Sequence, residues 1–166
     1  MKVLGVDPGT ATTGYGIVEM TDGAFRCVTF GAIRQPRGAS YPAALRNLHE
    51  QLCEVIRYCQ VDGVAVEELF YAVNVKSALK LAQTRGVILL VASQHDLPVF
   101  EYSPLEVKKG IVGYGRAEKI QMQGMVQRLL KLDCVPKPHD AADALALALC
   151  HLYRSGFNSR ARSACK

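Results

Sequence analysis

The hydrophobic pattern of this chain changes from that of strands to that of a helix at Pro42. Before this point, short apolar segments at 2–6, 15–20 and 25–33 are separated by turn residues, and the Asp-Gly pair at 22–23 is typical of a hairpin. These segments predict three antiparallel strands at the start of the chain. From Pro42 onward, apolar residues recur every three or four positions, which predicts a helix whose first turn accepts the proline.

The rest of the chain alternates between strand and helix signals. A short apolar strand follows the turn at 62–63, and another covers 99–102. Ser103 and Pro104 are a typical N-cap and first-turn residue for the helix that follows. The helical segments are predicted at 42–59, 74–94, 104–111, 122–130 and 139–153. The order β-β-β-α-β-α-β-α-α-α predicts an α/β fold with a five-stranded mixed sheet and helices on both faces.

Length and composition agree with one soluble domain. The 166 residues are 49% hydrophobic and 21% charged, and the longest unbroken apolar run is Ala144–Cys150. A membrane span needs about twenty apolar residues, and no signal peptide is recognisable, so we expect a cytoplasmic protein without a membrane segment. We predict a folded domain over residues 1–154 and a disordered basic tail over 155–166.

The cysteines do not predict a metal or redox site. They stand at positions 27, 53, 59, 134, 150 and 165 and form no CxxC pair. In an intracellular protein, such spacing predicts reduced thiols that pack as small apolar side chains.

Acidic residues stand at the ends of two predicted strands. Asp7 ends the first strand and could cap its own turn, a role that needs no chemistry. Glu67 and Glu68 follow the apolar segment 64–66, and because neighbouring strand residues point to opposite faces, at most one of them enters a given site. If the first and fourth strands are parallel neighbours, Asp7 and Glu67 emerge at the same edge of the sheet.

Two further acids lie three residues apart at the start of the last helix. Asp140 and Asp143 therefore share a face, with Cβ atoms about 5–6 Å apart, and such like charges repel unless a cation or a proton lies between them. The helix dipole alone would account for Asp140 in the first turn. It accounts less well for Asp143, which stands among small apolar residues and faces either solvent or a site.

A cluster of four carboxylates would suit hard divalent cations. Two such ions can stabilise the attacking and leaving oxygens in phosphodiester cleavage. The net charge of the chain is +5, and it becomes +9 when these four acids are set aside. This excess favours a polyanionic partner, of which nucleic acid is the commonest, although it could also serve solubility alone.

Four segments of the chain, taken in order, resemble the RuvC-type Holliday-junction resolvases. They are VLGVDPGTATTGYGIV from residue 3, VAVEELFYAVNVKSALKLAQTRGV from residue 64, YSPLEVKKGIVGYGRAEK from residue 102 and HDAADALALALCH from residue 139. One segment alone would be weak, but their order and separation make the resemblance specific over nearly the whole chain. The resemblance implies a ribonuclease-H-like fold and a magnesium-dependent endonuclease that acts on four-way DNA junctions.

The resemblance assigns catalytic roles to four acids and two lysines, namely Asp7, Glu67, Asp140, Asp143, Lys108 and Lys119. The acids would hold two Mg²⁺ ions, for which Mn²⁺ would substitute. Glu67 is chosen over Glu68 because it directly follows the strand and precedes Asn74 by the family's interval. The lysines would neutralise phosphate, or else belong to a solvated helix face.

His139 stands beside the acidic pair. Some members of the family have a histidine where this chain has Asp140. His139 is one position earlier, about 100° around the helix, so we interpret it as a capping or solvent residue rather than a ligand.

The resemblance also implies contacts with DNA and with other proteins. Phe70 matches the residue that stacks on an unpaired base near the junction centre, with Tyr71 taking part, and core packing is the alternative. Basic DNA contacts are predicted at Lys76, Lys108, Lys109, Arg116 and Lys119. Segment 74–94 would supply the helix of a homodimer, whose two sites make paired nicks that leave 5′-phosphate and 3′-hydroxyl ends. A branch-migration helicase complex would recruit the enzyme.

Two other functions use similar features. Phosphotransferases of the sugar-kinase and actin-like superfamily also open with an aspartate-glycine turn, but they close two such domains over a nucleotide, and this chain has one domain and no P-loop motif. A junction-binding scaffold of the same fold would gain nothing from four acids near DNA phosphates. Magnesium-dependent cutting of a four-way junction would separate these three hypotheses.

Overall fold

The computed structural model describes residues 1–68 and 74–164, with side chains described up to Gly156. The strands are β1 Lys2–Asp7, β2 Thr12–Thr21, β3 Ala24–Arg34, β4 Gly63–Glu67 and β5 Val99–Tyr102. The helices are α1 Tyr41–Cys59, α2 Val75–Gln94, α3 Pro104–Val112, α4 Lys119–Leu129 and α5 His139–Ala164. The predicted order of strands and helices is confirmed.

The strands form one mixed sheet in the order β3-β2-β1-β4-β5. β1 pairs antiparallel with β2, and β2 pairs antiparallel with β3, as expected for consecutive hairpins. β4 is parallel to β1, and β5 is parallel to β4. The carboxyl ends of β1, β4 and β5 therefore meet at the same edge of the sheet, which is where ligand sites form in sheets of this kind.

The side chains of the central strands alternate between two apolar layers. Leu4, Val6 and Val66 are buried in the layer that includes α1 and α2. Val3 and Ala65 are buried in the other layer, with residues of α3, α4 and α5. The prediction of helices on both faces is confirmed. By the same alternation, the last residues of β1 and β4 point toward the layer of α3–α5.

Glycines of β1 and β2 allow α5 to lie directly on the sheet. A Cβ atom at Gly5 would overlap the backbone carbonyl of Ala144, and one at Gly14 would overlap that of Asp140. The face that α5 presents to the sheet is rich in buried small residues, among them Ala141, Ala144 and Ala148. The distance between α5 and the two strands is therefore set by backbone contact rather than by side-chain size.

Two helix boundaries differ from the predicted ones by more than one residue. α4 begins at Lys119, three residues before the predicted start at residue 122, because Gln121 Oε1 accepts a hydrogen bond from the Glu118 backbone at 2.9 Å and closes the first turn. α5 continues to Ala164, so its predicted end at Tyr153 is wrong. One glycine costs a helix only about 1 kcal/mol, and no proline follows to end it. The division into a domain over 1–154 and a tail over 155–166 stays a prediction.

The described cysteines are all free thiols, as predicted: Cys27, Cys53, Cys59, Cys134 and Cys150. Cys165 lies outside the described residues. Across the described ranges, the helices are too short or too polar to cross a membrane.

The close packing of α5 on β1 predicts a large effect of a single methyl group. Gly5→Ala should lower the free energy of unfolding by about 1–3 kcal/mol, because the new Cβ atom forces α5 away from the sheet. Urea denaturation followed by circular dichroism measures this difference. Gly124→Ala is the matched control, since a Cβ atom at this position in α4 meets nothing within 4 Å and should stabilise the helix by up to about 1 kcal/mol. Equal losses in the two variants would contradict the packing.

Candidate active site

Asp7 and Glu67 end two neighbouring parallel strands. The register places Val6 beside Val66, so the residues that follow them, Asp7 and Glu67, are neighbours across the strand pair. Both acids line one cleft, on the side of the sheet that α3, α4 and α5 cover. The parallel pairing and the two-residue alternation are together sufficient to bring these two carboxylates to one place.

The start of α5 brings two more acids toward the same edge. The contact of Gly14 with the Asp140 carbonyl fixes the first turn of α5 against β2. Asp143, almost one turn further on, lines the cleft together with Asp7. Asp140 is not among the described residues that line the cleft, but its charge reaches Asp7 and raises the pKa of that carboxyl group.

Asp7 is the electrostatic centre of the cluster. The pKa of its carboxyl group is raised from 3.8 to about 8, and burial is the largest cause. The charges of Glu67, Asp143 and Asp140 contribute to this rise, whereas the Lys119 ammonium opposes it. In the absence of a cation, Asp7 therefore keeps its proton at neutral pH. A bound cation would lower this pKa, because it would stabilise the buried carboxylate and compensate the charges that repel one another.

Glu67 and its neighbour Glu68 have different environments. Burial raises the pKa of Glu67 and the charge of Asp143 adds to the effect, while a hydrogen bond with Asp7 and the charge of Lys119 lower it. Glu68 is exposed, and its backbone N–H donates to the Tyr102 carbonyl at 2.9 Å. The expectation that only one acid of this pair enters the site, and that it is Glu67, agrees with these positions.

Two lysines complete the polar lining of the cleft. Lys119 Nζ lies 2.8 Å from Asp143 Oδ2, and the side chain of this lysine remains 57% exposed. The hydrogen bond to Asp143 raises the pKa of the Lys119 ammonium, which therefore stays charged at neutral pH. Lys108 lines the cleft from α3. The two cations thus come from helices α3 and α4, and the charge of Lys119 acts on both Asp7 and Glu67.

The start of α3, which carries Lys108, is fixed by its cap. Ser103 Oγ accepts a hydrogen bond from the Glu106 backbone at 3.3 Å, and Glu106 Oε2 accepts one from the Ser103 backbone at 3.0 Å. The predicted N-cap is therefore confirmed. Arg154 of α5 pairs with Glu106 Oε1 at 2.7 Å, and its guanidinium lowers the pKa of that carboxyl group to about 2. These contacts link the first turn of α3 to α5.

Apolar residues form the remaining wall of the cleft, which has a volume of about 250 Å³. They come from three different helices: Pro104 and Val107 of α3, Met122 of α4, and Ala146 and Leu147 of α5. The sequence pattern indicates no role for these residues beyond helix packing. Their helical spacing is the same whether they face the core or a cleft, so the sequence held no signal that could have distinguished them.

The residues of the cleft fit a hard divalent cation in chemical type. Carboxylate oxygens are the ligands that such ions prefer, and Asp7, Glu67 and Asp143 face one cleft. Among the residues that the structure describes, no three potential ligands are close enough to hold an ion as they stand. The Lys119 ammonium instead supplies the positive charge next to Asp143. Coordination would require these carboxylates to turn toward a common point.

Among the described residues, the remaining predicted DNA contacts, Lys76, Lys109 and Arg116, do not line the cleft. Phe70 and Tyr71 lie outside the described residues. Lys76 is exposed in the first turn of α2, and Lys109 and Arg116 are exposed near the end of α3 and after it. Their contacts with DNA stay predictions.

His139 is exposed at the first position of α5. Its Nδ1 atom lies 2.7 Å from Nε2 of Gln123, which is buried in α4. In the described part of the chain, His139 is not one of the residues that line the cleft. These positions agree with its interpretation as a residue of the capping region that joins two helices.

Nearly the whole chain matches a single protein family. The family model described as crossover junction endodeoxyribonuclease RuvC matches residues 3–151. The RuvC protein of Syntrophomonas wolfei is 50% identical over 153 residues, which are 92% of this chain and 89% of that protein. The RuvC protein of Alkaliphilus oremlandii is 47% identical over 157 residues, which are 95% of this chain and 96% of that protein.

A solved structure is similar over the same length. The structure of T. thermophilus RuvC in complex with a Holliday junction substrate superposes with a TM-score of 0.87 at 28% identity, and the match covers 95% of this chain and 96% of that chain. The predicted ribonuclease-H-like α/β fold is thereby confirmed. Because the family model and the relatives span almost all of its residues, the chain belongs to the crossover junction endodeoxyribonuclease RuvC family.

Proposed function

We propose that this chain resolves four-way DNA junctions by paired symmetric nicks, in recombination and DNA repair. Its relatives are named crossover junction endodeoxyribonucleases, and the similar T. thermophilus protein is bound to a Holliday junction. One observation carries the proposal: acids from β1, β4 and α5 line one cleft together with two lysines. These side chains come from distant parts of the chain, and together they have the chemistry that phosphodiester hydrolysis requires.

The cofactor that we propose is Mg²⁺, with two ions in each site and Mn²⁺ as a substitute. The residues that would hold them are Asp7, Glu67, Asp140 and Asp143. When bound, the ions supply Lewis-acid stabilisation to the attacking and leaving oxygens of the phosphodiester. The raised pKa of Asp7 supports this assignment, because it reflects a buried carboxyl group next to three other acids whose charges Lys119 compensates only in part.

Lys108 and Lys119 would bind the non-bridging oxygens of the scissile phosphate. Preorganised cations of this kind stabilise the charge that develops at phosphorus. Lys119 would exchange Asp143 for the phosphate, which its exposed side chain permits. A water oxygen forms the new bond to phosphorus as the bond to the 3′ oxygen breaks, so the products carry a 5′-phosphate and a 3′-hydroxyl. Val107 and Met122 form an apolar wall that limits the approach of other water molecules.

The proposal includes a homodimer formed through α2. Val75, Leu79 and Leu90 of this helix are exposed by 71%, 61% and 52%, and their spacing places them on one stripe. Ile88 and Val91 lie on the opposite face and are buried against the sheet. A helix that is apolar on both faces indicates a partner for its outer face. A two-fold axis along this face would present one active site to each of two strands, as paired nicks require. Recruitment by a branch-migration helicase complex stays a prediction.

Replacing an acid of the cleft should abolish cutting but preserve junction binding. We expect Asp7→Asn to slow cleavage of a synthetic four-way junction by at least about 100-fold, because several kcal/mol of transition-state stabilisation depend on the cations that this carboxylate holds. Rates of cleavage in Mg²⁺ and gel-shift binding in EDTA measure the two effects.

The neighbouring acid provides the matched control for this experiment. Glu67→Gln should behave like Asp7→Asn, whereas Glu68→Gln, a change of the same charge at an exposed position outside the cleft lining, should cut at the wild-type rate. Undiminished cleavage by Asp7→Asn would refute the assignment.

Metal-free protein should become less stable as the pH rises toward 8. Because the pKa of Asp7 is raised from 3.8 to about 8, the folded protein keeps a proton that the unfolded chain releases above pH 4, and stability falls across this range. Asp7→Asn removes the titrating group, so its stability relative to wild type should increase from pH 5 to pH 8. Thermal unfolding in EDTA tests this. A difference that stays constant with pH would contradict the electrostatic account of Asp7.

A charge in the apolar stripe of α2 should separate the dimer. Leu79→Glu is expected to halve the mass measured by light scattering and to abolish paired nicking, because the charge would be buried in the interface. Tyr58→Glu is the control, since Tyr58 is 92% exposed but lies on α1. A wild-type chain that is monomeric at micromolar concentration would show that α2 is not the dimer helix.

A further inference from the structure

Three large apolar side chains are exposed beside the cleft. Leu105, Tyr114 and Ile120 expose 51%, 47% and 79% of their surface. Leu105 follows Pro104 in the first turn of α3, and Ile120 follows Lys119 in the first turn of α4, and both of these preceding residues line the cleft. We call these three exposed residues the apolar rim. Single exposed apolar residues are ordinary, but a group next to a polar cleft marks a contact surface.

Tyr114 is held in place between the starts of two helices. Gly113 ends α3 with a φ of 91°, a conformation that favours glycine and turns the chain back on itself. A Cβ atom at Gly115 would collide with Cδ1 of Leu105, so the loop lies directly on that side chain. The Tyr114 hydroxyl donates to Gln121 Oε1 at 3.1 Å. The hydroxyl end of the ring is therefore anchored to α4, while the side chain stays half exposed.

Cations surround the apolar rim. Lys109 and Arg116 are exposed, and a Cβ atom at Gly115 would lie 3.6 Å from Lys109 Cε. Lys119 precedes Ile120 of the rim in the chain and pairs with Asp143 of the cleft. An aromatic ring set among cations is the combination that binds unpaired nucleotides, because the cations attract the backbone and the ring stacks on a base. The rim is thus continuous with the cleft in both position and charge.

We propose that Tyr114 stacks on a nucleobase next to the scissile phosphate, with Leu105 and Ile120 packing against the same nucleotide. This inference rests on the proposed function, since the base belongs to the strand whose phosphate enters the cleft. A base can stack on a side chain only when it leaves its neighbour in the helix. The crossover of a four-way junction allows this more readily than linear duplex does, so Tyr114 would favour the junction and fix which phosphate meets the acids.

Loss of the ring should slow cleavage without affecting the fold. Tyr114→Ala should lower kcat/KM on a four-way junction by about 5- to 160-fold, the range that follows from losing one stacked base. Tyr114→Phe keeps the ring and should cut at close to the wild-type rate. The matched control is Tyr58→Ala, because Tyr58 is 92% exposed on α1, which packs on the opposite face of the sheet. Wild-type rates for Tyr114→Ala, or equal losses in Tyr114→Ala and Tyr114→Phe, would overturn the proposal.

Abasic nucleotides test the contact itself. They are placed one at a time on either side of the scissile phosphate, and at the stacked position the missing base should slow the wild type by the same factor as Tyr114→Ala. The same abasic nucleotide should then have little further effect on Tyr114→Ala, because both changes remove one interaction. Additive effects at every position would overturn the inference.

A binding readout separates this inference from the proposed function. In EDTA, 2-aminopurine at the stacked position should be less fluorescent in the complex with the wild type than in the complex with Tyr114→Ala, because only the wild type offers the ring on which the base stacks. If the wild type quenches the probe but never cuts in Mg²⁺, the proposed function fails and the stacking contact stands. If the wild type cuts but quenches the probe no more than Tyr114→Ala does, the stacking contact fails and the proposed function stands.

Discussion

The direct contact between α5 and the first two strands determines the rest of the site. Because Gly5 and Gly14 have no side chains, the helix backbone reaches the sheet at Ala144 and Asp140. The same contact sets the position of the first turns of α5 relative to the carboxyl end of β1. The charges of Asp140 and Asp143 therefore act on Asp7, a residue far away in the sequence. A side chain at either of these glycine positions would push α5 away from the sheet and move the charges of Asp140 and Asp143 away from Asp7.

At Asp7, the arrangement that the proposed chemistry requires lowers the stability of the fold. Burial and three neighbouring acids raise the pKa of its carboxyl group to about 8, so the protein alone is less stable wherever that group must ionise. The ion pair of Lys119 with Asp143 compensates only part of the charge. Binding of cations or of a phosphate stabilises a site that is destabilised in this way, and catalysis makes use of such binding energy.

The sequence was sufficient for the features that depend on local periodicity, and insufficient for those that depend on distant packing. The strand ends at Asp7 and Glu67, the alternation that separates Glu67 from Glu68, and the N-cap at Ser103 could all be predicted. The apolar wall could not, because Val107 and Met122 have the same helical spacing as core residues. The role of Gly5 was equally hidden, since a glycine in a strand also marks a bulge or a bend. The prediction that α5 ends at Tyr153 was wrong, because a polar sequence alone does not end a helix when no proline follows.

The proposed chemistry requires carboxylates from β1, β4 and α5 to bind shared divalent cations. Anomalous diffraction from crystals soaked in Mn²⁺ tests it most directly, because the metal is located independently of any model of its ligands. The account predicts anomalous peaks within coordination distance of the carboxylate oxygens of Asp7 and Glu67, with Lys119 withdrawn from Asp143. Peaks that lie elsewhere on the surface, with the Lys119–Asp143 pair intact and the cleft empty of metal at saturating Mn²⁺, would contradict it.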